Sequence, residues 1–361
     1  MTAITNNLET RLMKGNEALA EAALRAGMQA YFGYPITPQS EILEYLANYG
    51  PKRGVVVLQA ESELAAINMV YGAGGAGARV MISSSSPGIS LMQEGLSYMA
   101  SAQIPCLIVN VQRGGPGLGT IQPAQADYFQ ATKGGGHGDY HLIVLAPSSV
   151  QEMADFVFEG FRLTEQYRAP TMILSDGALG QMMEKVALPA DGSLPQTEKP
   201  WATTGKLDSR ERNILTSLFI QPERMEEINL GLQKKYREIE EKEVRYELIR
   251  TEDADIVLVA FGLAARICEK ALELGREKGI RVGLMRPITL YPFPSKIISN
   301  LALTTGAFLT VEMNAGQMVE DVRLAVNGAR PVFFKGRMGG MIPSPEEVLA
   351  EIELILVSEE H

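Results

Sequence analysis

The feature that most constrains this chain is a rhythm. Short β-branched and apolar runs alternate with segments of helical spacing about six times in the first half of the sequence. Ala30 to Tyr34, Val55 to Leu58, Val80 to Ile82, Ile104 to Val111, His141 to Leu145 and Thr171 to Leu174 read as strands. Asn16 to Arg25 reads as a helix stopped by Gly27, and Ser149-x-x-Glu152 reads as a capping box that opens a long amphipathic helix. Strands joined by helices pair in parallel, so this half is predicted to be a doubly wound α/β sheet. Such sheets bind ligands outside the carboxyl ends of their strands. The strand-to-helix junctions are therefore where chemistry is expected.

One junction is LQAESELAAINMVYGAGGAG (58–77), a strand end, a turn with Glu61 and Glu63, and a small-residue helix over Leu64 to Ala73. The two carboxylates can be plain helix-capping groups favoured by the dipole, or one can face a ligand. Gly72, Gly74 and Gly77 match G-x-G-x-x-G, but they close a helix instead of opening one, which is wrong for a dinucleotide site. In YPITPQSEI (34–42), Thr37-Pro38 reads as an N-cap followed by a first-turn proline. Equally, its hydroxyl and the free N–H groups beyond it can receive a carboxylate or carbonyl. Ser86-Pro87 reads the same way, and Gly88 would let the backbone approach a ligand. Arg113 ends a strand before the glycine-rich QRGGPGLGT, a position suited to carboxylate recognition or to a surface ion pair.

From about Met182 to Arg250 the rhythm breaks. Pro189, Pro195 and Pro200 mark a linker, and Pro222 to Tyr246 is a charged amphipathic helix whose apolar seam must dock somewhere. A second βαβ set follows, with strands at Asp255 to Phe261, Ile280 to Met285, Ala307 to Val311 and Pro331 to Phe334. The expected organisation is an α/β domain over 1–185, a linker and helical arm over 186–250, and a second α/β domain over 251–361.

Composition narrows the function. A net charge of −10 argues against a nucleic-acid partner. No apolar run approaches membrane-spanning length, and the N-terminus lacks a secretory h-region. Cys106 and Cys268 form no C-x-x-C pair, so the chain cannot itself hold a four-cysteine cluster. No metal spacing is found among the histidines either, and a cytoplasmic protein is expected.

GYPITPQSEI (33–42), QAESELAAINMVYGAGGAGARVM (59–81), SSSSPGISLMQEG (83–95) and NVQRGGPGLGT (110–120) together resemble the alpha subunit of 2-oxoacid:ferredoxin oxidoreductases. RPITLYPFP (286–294) and VEMNAGQMVEDV (311–322) resemble that subunit's second domain, which is like the C-terminal domain of transketolases. The likeness is strongest to the branch acting on branched substrates such as 2-oxoisovalerate. It implies thiamine diphosphate, with the pyrimidine ring bound by this chain. In thiamine enzymes the key glutamate has a glycine nine positions later. Glu63 and Gly72 fit that spacing, whereas Glu61 meets Val70. The resemblance therefore makes Glu63 the catalytic residue, hydrogen-bonded to the pyrimidine N1′ and buried. It puts Ser85, Pro87 and Gly88 on the cofactor, and Tyr34, Thr37 and Arg113 on the substrate.

The implied reaction is oxidative decarboxylation to an acyl-CoA, with electrons passed through iron–sulfur clusters to ferredoxin. No G-D-G followed by N-N is present; Ser175-Asp176-Gly177 is a near match with nothing suitable downstream. The Mg2+ and diphosphate site is therefore expected on a beta-type partner. The 4Fe-4S clusters belong to gamma- and ferredoxin-like delta-type subunits, in a dimer of heteromers. Coenzyme A is the co-substrate. The alternatives are a 2-oxoglutarate- or indolepyruvate-specific relative, a non-catalytic scaffold subunit of the same fold, and, on the misplaced glycines alone, a dehydrogenase.

Overall fold

In a computed structural model, residues 8–206 and 210–359 are described. The first sheet has seven strands in the order Thr289–Tyr291, Ile143–Leu145, Pro170–Asp176, Cys106–Gln112, Val80–Ser84, Ala30–Gly33 and Val56–Gln59. Every neighbouring pair is parallel except the one made by Thr289–Tyr291. The chain runs from Ala30–Gly33 outward to the edge strand Val56–Gln59, then crosses back to Val80–Ser84 on the other side. That reversal opens a crevice between the carboxyl ends of Ala30–Gly33 and Val80–Ser84.

The second sheet has five strands in the order Val332–Gly336, Ala307–Glu312, Ile256–Val259, Val282–Pro287 and Tyr246–Ile249, with only the last antiparallel. Its core is closed by the helices Gly262–Glu277 and Pro345–Glu359, through Ala264, Cys268, Val348 and Ile352. The fold class is thus the expected α/β with mainly parallel sheets.

Three local expectations need correction. Thr37 does not cap a helix: Gln39 donates its N–H to Ile36 O (3.1 Å), making a turn, and the helix starts three residues later as Ser40–Tyr49. Ser85, not Ser86, holds the N-cap position of the helix Ser86–Ser101, with Pro87 in its first turn. Glu61 is exposed and accepts no capping hydrogen bond among the described residues; the cap before Glu63 is Ser62.

The segment after Met182 is also more ordered than a linker. Met183–Leu188 pairs antiparallel with Glu9–Lys14, burying Val186 and Leu188 beside Met13. The arm helix, Pro222–Lys242, docks on its own chain. Leu232, Tyr236 and Ile239 are buried with Leu163 and Tyr167, and Lys235 Nζ donates to Gln103 Oε1 (2.6 Å) and Arg168 O (3.2 Å).

Between Leu188 and the arm the chain is pinned by Arg79. This fully buried guanidinium forks onto Glu165 (2.9 and 2.8 Å) and donates to the carbonyls of Ala26, Leu194 (3.2 Å) and Pro195 (2.8 Å). Glu165 also pairs with Lys199 Nζ (2.9 Å), so loss of the guanidinium leaves that carboxylate partly compensated, while the carbonyls of Ala26, Leu194 and Pro195 lose their donor at a cost of about 1–3 kcal/mol. Arg79→Ala is therefore expected to lower the unfolding free energy of the purified chain by that order, read as a lower denaturant midpoint, and to open residues 189–200 to protease. An unchanged midpoint and cleavage pattern would count against this role.

Candidate active site

Four strand ends meet at the crevice. Glu63 is the first residue of the helix Glu63–Gly75, whose start is fixed by Ser62 Oγ accepting from Ala65 N (3.2 Å). Only 5% of Glu63 is exposed. Its Oε1 accepts one long hydrogen bond from Ser84 Oγ (3.3 Å), and its carboxylate has no other hydrogen-bond partner among the described residues. The helix dipole favours a carboxylate there, but a buried carboxyl normally collects more hydrogen bonds than this one has.

Gly88 explains how the carboxyl fits. A Cβ at that position would lie 2.0 Å from Ser84 Oγ and 2.4 Å from Glu63 Oε1. The close approach that Gly88 admits is thus that of Glu63. Ser85 Oγ is buried in the same turn and has no hydrogen-bond partner among the described residues. An under-satisfied buried carboxyl at a helix N-terminus suits the polar edge of a neutral heterocycle such as an aminopyrimidine.

Arg113 stands at the end of Cys106–Gln112 and makes no ion pair among the described residues. One terminal nitrogen donates to Thr37 O (2.9 Å) and the other to Leu118 O (3.0 Å), while Nε is buried with no hydrogen-bond partner among the described residues. The structure therefore brings Thr37 and Arg113 together. Thr37 is exposed and Tyr34 half-buried, and neither hydroxyl is hydrogen-bonded among the described residues. The Glu63 group and the Arg113 group share one turn, because Arg113 N donates to Ser86 Oγ (3.1 Å), two residues beyond Ser84.

Sequence reasoning missed the residues that hold this arrangement. Gln39, fully buried, donates to Tyr34 O (3.2 Å) and accepts from Ser83 Oγ (2.6 Å). Asn16 donates to Pro38 O (2.8 Å), so the YPITP loop is clamped from both sides. Asp127 Oδ2 accepts from Ser86 Oγ (2.6 Å) and Asn110 Nδ2 (2.9 Å). Burial pushes the Asp127 carboxyl above its usual range, and those two hydrogen bonds pull the other way. Nothing in the spacing of these residues marks them; only the SSSS run hinted that the turn is rich in hydroxyls.

Asp176, the near-match acid, has a structural task. It accepts from Ala178 N (2.9 Å) and Leu179 N (3.2 Å) to cap a short helix, and burial raises its pKa to about 6. Among the described residues no group of three or more His, Cys, Asp or Glu side chains could hold a metal ion.

A family described as pyruvate flavodoxin/ferredoxin oxidoreductase, thiamine diphosphate-binding, matches residues 21–250, and the pyruvate:ferredoxin oxidoreductase core domain II matches residues 254–348. The ketoisovalerate oxidoreductase subunit VorB of Methanothermobacter thermautotrophicus is 50% identical over 345 residues, 96% of this chain and 97% of that one. The chain belongs to the 2-oxoacid:ferredoxin oxidoreductase family. This oxidoreductase subunit is also 35% identical to the 2-oxoglutarate synthase subunit KorA of Methanothermobacter marburgensis, over 95% of this chain and 98% of that one.

Among solved structures, the 2-oxoglutarate:ferredoxin oxidoreductase from Magnetococcus marinus, with 2-oxoglutarate, coenzyme A and succinyl-CoA bound, superposes with a TM-score of 0.82 at 26% identity. The match covers 96% of this subunit and 65% of that chain. A split-gene transketolase (TM-score 0.59, 14% identity, 96% and 98% coverage) shares the fold alone.

Two glycines of the subunit should respond in opposite directions. Gly88→Ala forces Glu63 and Ser84 apart and should destabilise the chain by about 1–3 kcal/mol. Gly72 is exposed and a Cβ there meets nothing within 4 Å. Gly72→Ala should therefore stabilise the isolated chain by about 0.5–1 kcal/mol, as in any open helix interior. Chemical denaturation of both variants checks this, and a Gly88→Ala chain as stable as the wild type would refute the packing argument.

Proposed function

We propose that this chain supplies the pyrimidine half of a thiamine diphosphate site in an enzyme that oxidatively decarboxylates 2-oxoisovalerate and related branched 2-oxoacids to acyl-CoA, passing electrons to ferredoxin. The observation that carries the reading is Glu63: a carboxyl 5% exposed, at a helix N-terminus, with one 3.3 Å hydrogen bond and an unpartnered serine hydroxyl in the turn facing it. Thiamine, when bound, supplies the carbanion chemistry. Glu63 holds or yields a proton at the ring nitrogen, and burial keeps that exchange away from water. Thr37 and Arg113 orient the carboxylate of the substrate, and the Arg113 fork is already aimed by two carbonyls. The branched substrate is favoured over 2-oxoglutarate by the 50% identity to ketoisovalerate subunits, against 35% to a 2-oxoglutarate relative.

The other half of the site belongs to a beta-type subunit with Mg2+ and the diphosphate contacts. The 4Fe-4S clusters belong to gamma- and delta-type subunits, in a cytoplasmic dimer of heteromers that uses coenzyme A. Exposed apolar side chains support such a partner. Val56 and Leu58 on the edge strand, with Leu64, Met69 and Leu91 on the two helices that carry the site, are all more than a third exposed. Open apolar edge strands are normally covered. Among the described residues no helix is long and apolar enough to cross a membrane.

Glu63→Gln in the assembled enzyme should slow proton exchange at the thiazolium C2 at least ~100-fold, the scale of a lost general acid–base group. Near-normal exchange would rule out the assignment. The purified chain given thiamine diphosphate, Mg2+ and 2-oxoisovalerate should release no carbon dioxide. Unaided turnover would overturn the half-site.

A further inference from the structure

The motif VEMNAGQMVED (311–321) has no role in the chemistry above, yet it makes a dense set of polar contacts between the two sheets. Glu312 is fully buried at the end of its strand. It accepts from Asn314 Nδ2 (2.8 Å), Gln317 N (3.3 Å), Met318 N (2.8 Å) and Val319 N (3.0 Å), which folds the loop into one shape. The ordered loop then grips the first unit on both sides of Asp127. Gln125 exchanges backbone and side-chain hydrogen bonds with Met313 (3.0 and 3.1 Å), and Asn314 donates to Gln125 O (2.8 Å). Gln317 donates to Ala126 O and accepts from Phe129 N, both at 2.8 Å. Gln125 is fully buried and also donates to Phe261 O (2.8 Å), a second anchor in the second unit.

What is held there is a carboxylate with two short bonds. Asp127 accepts from Ser86 Oγ at 2.6 Å, much closer than the other acceptor in reach, Arg113 O (3.3 Å), so the single hydroxyl proton of Ser86 goes to Asp127 and a lone pair is left to accept Arg113 N (3.1 Å). Asn110, at the carboxyl end of the same strand as Arg113, is turned to Asp127 as well (2.9 Å). A charge-assisted bond of this length fixes geometry more firmly than a neutral one. The path therefore runs from Glu312 and Gln317 through Asp127 and Ser86 to the backbone of Arg113.

We propose that Asp127 is a positioning residue for the 2-oxoacid carboxylate. Held from the second sheet by the 312–317 loop, it sets Arg113 through Ser86 and leaves Glu63 alone. This rests on the reading of Arg113 as the substrate anchor. It predicts that the two ends of the site separate experimentally, because Glu63 is hydrogen-bonded to Ser84 and packed against Gly88, and among the described residues no hydrogen bond or ion pair joins it to Asp127.

The test uses the co-expressed complex. Asp127→Ala should raise KM for 2-oxoisovalerate about tenfold while kcat falls less than about threefold and C2 proton exchange stays within about twofold of wild type. Asp127→Asn retains an oxygen that can accept both bonds and should bring KM back to within about threefold. Ser86→Ala, which cuts the same path one bond later, should reproduce the Asp127→Ala pattern, and it decides the matter if that variant does not assemble. Gln317→Ala should shift KM in the same direction, by a smaller factor. KM unchanged in Ser86→Ala, or KM, kcat and exchange all collapsing together without rescue by Asp127→Asn, would overturn the proposal. A wild-type complex inert toward 2-oxoacids would instead remove the underlying reading, and the proposal with it.

Discussion

A carboxyl group taken out of water with a single long hydrogen bond is an expensive thing to keep in a fold. Leaving a buried polar group under-satisfied costs on the order of 1–3 kcal/mol, more for a charged one. The neighbourhood of Glu63 is built around that cost. The helix N-terminus offers its dipole, Ser62 closes the first turn so that Glu63 is held at its start, and Gly88 surrenders its side chain so that the carboxyl can lie against the next helix. Ser85 leaves a second polar atom unpaired in the same turn. Unpaired groups in such a place are a cost in the isolated chain and an asset once a ligand supplies the missing partners.

The position of that corner follows from topology. The strand order reverses beside Ala30–Gly33, so the loops after three parallel strands and the helix after the edge strand converge without any long excursion. The second sheet then braces the first from two directions. Thr289–Tyr291 leaves the second unit to become an edge strand of the first sheet. Arg286, a few residues before it, forks onto Glu152 (2.8 and 2.7 Å), at the start of the long helix Val150–Tyr167. From the other side of the second sheet, the 312–317 loop holds the segment on either side of Asp127. The second unit thus frames the candidate site on the first.

The sequence carried much of this openly, and the reasons are physical. Parallel strands buried on both faces must be continuous apolar runs, and their connecting helices must show helical spacing, so the central strands and the junction bearing Glu63 were readable from pattern. Thr289–Tyr291 was not, because three residues are too few for a period. Nor was the pairing of Glu9–Lys14 with Met183–Leu188, which joins distant parts of the chain. Thr37 looked like a cap because Thr-Pro commonly is one; Gln39 and Asn16 hold the loop in a turn instead, through contacts no local rule anticipates. Asp127 is invisible for the same reason: its importance lies in Ser86 and Asn110, more than fifteen residues away in sequence. In the arm, by contrast, the apolar seam was visible and its docking surface was not, since amphipathicity records a face and never its partner.

The account's central claim is that Glu63 completes its hydrogen bonding on a cofactor shared with another polypeptide. An experimental structure of the assembled complex with thiamine diphosphate tests it most directly, through the separation between the Glu63 carboxyl and the pyrimidine N1′. The account predicts a hydrogen bond of about 2.6–3.0 Å, with the diphosphate held entirely by the partner chain. A ring lying out of reach of Glu63, or a diphosphate bound by this chain's own residues, would contradict it.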